Sequence, residues 1–411
     1  MKILFIHQNF PGQFLHLAPI LANNPQHEVR VMTMRQDLPK LHPRIGVMRY
    51  GVRRGTSPNI QPWVADFETK VIRGEGALRA ALQLKRQGYT PEVIVAHPGW
   101  GESLFLHDVW PAAKMGLYCE FYYGAGPGSD VGFDPEFPVA QPEIEAARLR
   151  VKNANNTLHF EFAQAGLSPT VWQRSTFPEP FRSRITVAHD GVDTERVRPD
   201  AQARFALPDG KVLSRADEVI TFVNRNLEPY RGYHVFMRSL PELMRRCPKA
   251  QIVIVGGNDV SYGARPPAGQ TWKEIYLNEV AGQIDSARVH FVGHLQYPNF
   301  LKLLQVSTVH VYLTYPFVLS WSLIEAMSTG CAIVASRTAP LLEAIEDGRN
   351  GVLVDFFDRE ALIDAVAGLC EQPERRALLG AAARADARAK YDLQSVCLPA
   401  QKAWVESLAG L

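Results

Sequence analysis

The chain is 411 residues long, enough for two α/β domains of ordinary size, each with its own core. An apolar fraction of 46% and a charged fraction of 21% are globular values, and a net charge of +2 leaves no footprint for nucleic acid. No apolar run approaches the ~18 residues that cross a bilayer, and the opening run is interrupted by His7, Gln8 and Asn9, so it reads as a first strand rather than a signal peptide and a cytoplasmic protein is expected.

In chain order, apolar runs at residues 2–6, 28–32, 92–96, 117–121 and 185–188 read as strands, nearly all apolar because both faces of a parallel sheet are covered. Between them, residues 14–21, 77–86 and 143–162 carry apolar side chains at helical spacing. Residues 38–88 hold ten basic side chains against Asp66, Glu68 and Glu75. That excess is either a solvated face with local pairing or a basic surface that meets anionic lipid or an anionic acceptor. The polar stretch from about 193 to 217 contains Pro199, Pro208 and Gly210, has little periodicity, and reads as a link. Strands at 219–223, 251–255, 290–292, 309–313 and 332–335 follow. They alternate with helices at 235–246, 272–283, 298–305, 322–328 and 360–369, and the tail 391–411 again has helical period. The five cysteines (Cys119, Cys247, Cys331, Cys370, Cys397) are widely scattered, so a reducing compartment and no structural metal are expected.

Two doubly wound sheets are implied, with ligands at the carboxyl ends of their strands. The densest chemistry lies in such places. Arg225 and Arg231 follow the first strand of the second set, six positions apart. Gly257 ends the next strand and His294 follows the third. After the fourth come Phe317, Ser320, Trp321, Ser322 and Glu325, running into Ala-Met-Ser-Thr-Gly330. Ser322 and Glu325 have the spacing of a capping box, which would satisfy orphan amides at a helix start. The same helix start would also hold a phosphate through its free N–H groups and dipole. In the first set, Gly12 and Gln13 bridge a strand to a helix, while His97 and Glu120 follow two further strands.

These segments resemble the family 4 glycosyltransferases of the GT-B fold. Glu325-Ala-Met-Ser-Thr-Gly330 matches the end of that family's signature, and Arg225 with Arg231-Gly232 fits its two basic residues. Asn350-Gly-Val-Leu-Val354 and His189-Asp-Gly-Val-Asp193 are similar to flanking segments. The resemblance implies an α/β protein of GT-B type, two Rossmann-like domains whose parallel sheets face a central cleft. An acceptor-side domain would span 1–192, a nucleotide-sugar donor domain 193–390, and a C-terminal helix 391–411 would cross back onto the first domain. It further implies a retaining transfer from a nucleoside diphosphate-sugar to a hydroxyl acceptor in cell-surface glycan or glycoconjugate synthesis. Peripheral contact with an anionic membrane would run through residues 38–88.

In this reading Arg225 and Arg231 neutralise the leaving diphosphate, and Glu325 accepts from the ribose diol. His294 adjoins the nucleobase, Gly257 allows close backbone approach to the donor, and Gly12 and Gln13 offer backbone amides. Ser320, Trp321 and Ser322 complete donor contacts. No Asp-x-Asp motif stands at a suitable strand end, so a metal-independent mechanism without a cofactor is expected. One departure matters: Phe317 stands eight residues before Glu325, where the family carries its first glutamate. Glu120 is the expected substitute carboxylate, and His97, at the end of another strand, is a further active-site candidate. The alternatives are a catalytically silent nucleotide-sugar binder, motivated by Phe317, and a dinucleotide-dependent oxidoreductase, which lacks its G-x-G-x-x-G fingerprint.

Overall fold

A computed structural model describes residues 1–126 and 128–410; Pro127 and Leu411, the last residue of the expected tail helix, lie outside the described residues. The chain forms two compact units. The first comprises Met1–Gly132, Val139–Gly191 and Gln394–Leu411, and the second Phe133–Pro138 and Val192–Leu393.

The first unit is built on seven parallel strands: β1 (Lys2–Ile6), β2 (Glu28–Thr33), β3 (Ile45–Arg49), β4 (Val93–Ala96), β5 (Lys114–Tyr118), β6 (Ala165–Ser168) and β7 (Ile185–Val187). Their order is β3-β2-β1-β4-β5-β6-β7. The helices are α1 (Leu17–Asn23), α2 (Pro62–Arg86), α3 (Leu106–Val109), α4 (Pro142–Lys152), α5 (Ala154–Phe162) and α6 (Val171–Thr176). The central strands are buried on both faces, as the uninterrupted apolar runs require.

The second unit opens with a hairpin, β8 (Arg204–Ala206) and β9 (Val212–Ser214). A six-stranded parallel sheet follows: β10 (Val219–Asn226), β11 (Gln251–Gly257), β12 (Val289–Gly293), β13 (Val309–Tyr312), β14 (Ala332–Ser336) and β15 (Val352–Val354). Its order is β12-β11-β10-β13-β14-β15, so the sequence direction reverses beside β10, a switch point where loops diverge. Around it lie α7 (Tyr233–Arg246), α8 (Trp272–Val280), α9 (Tyr297–Val306), α10 (Trp321–Ser328), α11 (Arg359–Glu371) and α12 (Pro373–Tyr391). The last helix, α13 (Leu398–Leu408), belongs to the first unit, where Trp404 and Leu408 pack over Gly116 of β5.

Several elements differ from the sequence reading, each for a local reason. The stretch read as a link holds the β8–β9 hairpin, closed by a Pro-Asp-Gly turn with Gly210 at φ 90° and with Phe205 and Leu213 in the core. Helix α2 begins at Pro62 rather than 77, running through Gly74 and Gly76. These glycines are close-approach sites: a Cβ would fall 2.8 Å from the Gly101 carbonyl at one and 2.7 Å from that of Gly51 at the other. The helix expected over 143–162 is broken at Asn153, whose side chain bonds both backbone groups of Tyr123. Strand β5 lies at Lys114–Tyr118 rather than 117–121, leaving Glu120 just past its end. Finally, Phe133–Pro138 belongs to the second unit. Asp134 is buried there between the Tyr315 hydroxyl and His234 Nε2 (2.9 Å), Glu136 pairs with Arg238, and the Phe133 ring packs 5.0 Å from Tyr315.

Candidate functional site

In the first unit, the ends of β1, β4 and β5 assemble a polar chain. The Asn9 N–H donates to His7 Nδ1 (3.0 Å), which leaves the proton of a neutral imidazole on Nε2. That nitrogen meets Gln13 Oε1 at 2.9 Å, and Gln13 Nε2 donates to Glu120 Oε1 at 3.3 Å. The Gly99 N–H fixes His97 in the same tautomer (3.1 Å to Nδ1), and His97 Nε2 faces Glu120 Oε2 at 3.5 Å. Below, the His97 ring stacks on Tyr118 (5.4 Å), whose hydroxyl donates to both carboxylate oxygens of Asp190. Gly12 closes the cluster: its φ is +48°, and a Cβ would sit 2.5 Å from His7 Nε2.

The sequence-predicted residues Gly12, Gln13, His97 and Glu120 therefore converge. Gln13 joins through its side chain as the bridge between His7 and Glu120. Burial and the neighbouring His97 lower the His7 pKa to about 3, so that ring is neutral. Burial alone would raise Glu120, but His97, His7 and Gln13 outweigh it and hold the carboxyl below its ordinary range. With 39% of its side chain exposed, Glu120 is an ionised acceptor with an open face. Nearby, Glu102 is only 1% exposed, and burial raises its pKa to about 7.

In the second unit, the predicted residues gather along the carboxyl edge of the sheet. Arg225 is exposed near the end of β10. Arg231 is 6% exposed, its Nη1 donating to Thr314 Oγ1 (2.7 Å) and its Nη2 to the Val318 carbonyl (3.0 Å). The rings of Tyr262 (5.1 Å) and Phe317 (5.7 Å) flank this guanidinium. Phe317 is itself buried, edge-on to Tyr230 at 5.1 Å. Where the family pattern has a carboxylate, an aromatic wall encloses a fixed cation.

At the neighbouring strand ends, His294 lies over Gly257, where a Cβ would meet its ring at 2.4 Å, and Asn226 reaches Ser261 Oγ at 2.7 Å. The helix start after β13 corrects the capping box: Ser320, not Ser322, is the N-cap, accepting from the Ser322 N–H at 3.3 Å. Trp321 opens α10 with 46% exposure. Glu325 lies beyond the first turn, and its carboxyl takes the Tyr297 hydroxyl instead of a backbone amide. Burial raises the Glu325 pKa.

The sequence reading missed two supports. Glu228, fully buried, accepts from the N–H groups of Ser261, Tyr262 and Gly263 at 3.0–3.3 Å, fixing the loop that carries Tyr262 over Arg231. His7 stands at the end of β1, a position that marks it as a site candidate. In the basic stretch, Glu68, Asp66 and Glu75 are taken by Arg54, Lys70 and Arg79, while Lys40, Arg49 and Arg53 are exposed. Among the described residues no helix is long and apolar enough to cross a membrane.

Two parallel α/β units of this kind define the GT-B class of glycosyltransferase folds. The chain aligns over 100% of its length with all of sucrose-phosphate synthase from Thermosynechococcus elongatus (TM-score 0.72, 18% identity). It aligns equally fully with HepE from Anabaena in complex with UDP (TM-score 0.67, 17% identity). Residues 25–197 match the glycosyl transferase family 4 group, and residues 208–386 match the glycosyl transferases group 1. The chain belongs to the family 4 glycosyltransferases. Similar curated proteins include a GDP-mannose-dependent alpha-(1-6)-phosphatidylinositol monomannoside mannosyltransferase of Mycolicibacterium smegmatis, 27% identical over 52% of this chain and 54% of that protein. A D-inositol 3-phosphate glycosyltransferase of Rhodococcus jostii is 30% identical over 49% of this chain and 43% of its own length. The chain thus spans about half the length of the curated relatives it matches.

Proposed function

We propose that this protein transfers a sugar, with retention at the anomeric carbon, from a nucleoside diphosphate-sugar to a hydroxyl acceptor. The observation that carries the reading is the pair Arg225, near the end of β10, and Arg231, in the turn that follows it, with Arg231 held in advance by Thr314 and Val318. A guanidinium fixed before reaction stabilises charge that grows on a departing diphosphate without reorganising, and arginine keeps its proton throughout. These cations take the part a divalent metal plays elsewhere, so the proposed chemistry needs none. Glu325 accepts from the ribose hydroxyls, His294 meets the nucleobase, and Gly257 allows the donor close backbone approach. Ser320, Trp321 and Ser322 complete the donor contacts. Glu120 accepts a hydrogen bond from a sugar hydroxyl, and His97 and Gln13 keep it ionised and aimed. The leaving diphosphate assists deprotonation of the acceptor on the same face of the sugar, which yields retention.

The complexes of HepE with UDP and with UDP-glucose support a nucleotide-sugar donor. The relatives' inositol-containing acceptors support an anionic acceptor here, within cell-surface glycan or glycoconjugate synthesis. Exposed Lys40, Arg49 and Arg53 suit that acceptor and peripheral contact with an anionic membrane from the cytoplasmic side. Phe317 motivates one rival, a silent nucleotide-sugar binder. Incubation with a panel of nucleoside diphosphate-sugars in excess chelator decides between them. Transfer or hydrolysis above background, with the product's anomeric configuration retained, is expected. Binding without release of nucleoside diphosphate establishes the silent reading, and turnover only after adding magnesium or manganese overturns metal independence.

A further inference from the structure

The wide spacing of the cysteines conceals a cluster. Cys247 caps the C-terminus of α7, Cys370 lies near the end of α11, and Glu218 immediately precedes β10. The two sulfurs and a carboxylate oxygen of Glu218 lie within 4.8 Å of one another. We propose that Glu218, Cys247 and Cys370 form a binding site for a soft divalent cation of the zinc class.

Three observations converge on it. Helices α7 and α11 pack on each other, and Glu218 directly precedes the central strand β10, so the site is built by the fold rather than by a mobile loop. Donor chemistry fits: thiolates with one carboxylate suit zinc, with water in the fourth position. Two thiolates on a common zinc stand about 3.8 Å apart, from the ~2.3 Å Zn–S bond, so closure asks for a shift of about an ångström at most. Second, Glu218 Oε1 is buried without a hydrogen-bond partner among the described residues, and an orphaned buried oxygen calls for an ion or proton. Third, two thiolates and a carboxylate exceed a divalent charge by one. Arg376, Lys249 and Arg288 act electrostatically on Glu218 against the single opposing charge of Glu371, and the surplus of positive charge compensates that excess. Binding releases the thiol protons to solvent, so affinity rises with pH.

The site is separate from the proposed donor site. Glu218 is at the amino end of β10 and Arg225 near its carboxyl end, roughly 23 Å away at ~3.3 Å per residue. The cation therefore stabilises the fold and takes no part in transfer. The test is titration of the chelator-treated full chain with Co²⁺. Stoichiometric binding with an intense sulfur-to-cobalt band in the near ultraviolet is expected, and Zn²⁺ should abolish it. Cys247→Ser and Cys370→Ser should each remove the band, and Glu218→Gln should weaken binding at least tenfold. Should a variant fail to fold, the wild-type chain still decides: Zn²⁺ must shield two of its five thiols from a thiol reagent and raise the melting temperature. Absence of the band and of shielding, or a band that survives both serine variants, overturns the proposal. So does a Cys247–Cys370 disulfide that forms with oxidant while Co²⁺ stays silent. Donor turnover in chelator is a separate readout, so failure of this site leaves the transferase reading standing, and the reverse.

Discussion

Glu120→Gln exchanges an ionised acceptor for a neutral amide of nearly the same shape. The carboxylate's own contacts are long, 3.3 Å from Gln13 and 3.5 Å from His97, and the side chain is 39% exposed, so folding should change little. Its proposed partner is a sugar hydroxyl, and a hydrogen bond to a charged group contributes about 1.5–3 kcal/mol. If that bond matters in the transition state, kcat/KM should fall roughly 10- to 150-fold, at 1.36 kcal/mol per factor of ten. Affinity for the nucleoside diphosphate alone should stay within about twofold, because Arg225, Arg231 and Glu325 carry it. Steady-state transfer and calorimetric titration of the diphosphate separate these quantities. Since His97, His7 and Gln13 hold the Glu120 carboxyl below its ordinary range, the ratio of wild-type to Glu120→Gln transfer should also persist at pH values where a free carboxyl is protonated. Wild-type-like transfer by Glu120→Gln would refute the reasoning, as would an equal loss of diphosphate affinity.

Glu102 carries a pH prediction of opposite sign. Its pKa rises from 4.5 to about 7 on folding, so the native state holds the extra proton and stability falls as pH climbs through that window. The loss is roughly 3 kcal/mol at 1.36 kcal/mol per unit. Glu102→Gln should therefore gain stability relative to wild type between pH 5 and pH 8; parallel melting curves at both pH values contradict this. Glu325→Gln should weaken diphosphate-sugar binding by about 1.5–3 kcal/mol with little change in melting temperature, since Ser320 caps the helix. A fall in stability alone would assign Glu325 to the Tyr297 contact. Phe317→Glu should lower stability by roughly 1–3 kcal/mol. It should not raise turnover, because it removes the ring between Tyr230 and Tyr262 and draws Arg231 from Thr314. Improved transfer would mean that the aromatic wall is dispensable.

The strand-end residues were legible because a parallel sheet writes its core as apolar runs and its ligand edge as whatever polar group follows. Arg225, Gly257, His294, His97 and Glu120 could be placed that way. Partnership was not legible. Nothing in the spacing pairs Gln13 with Glu120, or sends Phe133–Pro138 into the second unit, because such contacts span a hundred residues or more. The capping box failed because two serines compete for one helix start, and the one with extended backbone took the cap. The β8–β9 hairpin was hidden because each strand buries a single central residue, too few for a period. The Cys247–Cys370 pair was missed because proximity across α7 and α11 leaves no mark on local sequence.

The most direct test of the central claim is calorimetric titration of a nucleoside diphosphate into wild type and Arg225→Ala in excess chelator. Arg225 is exposed, so the substitution leaves the fold intact. The account predicts binding by wild type without metal and an affinity at least tenfold weaker in the variant, from the ~1.5–3 kcal/mol of one charge-assisted bond. Equal affinity in both proteins would contradict it.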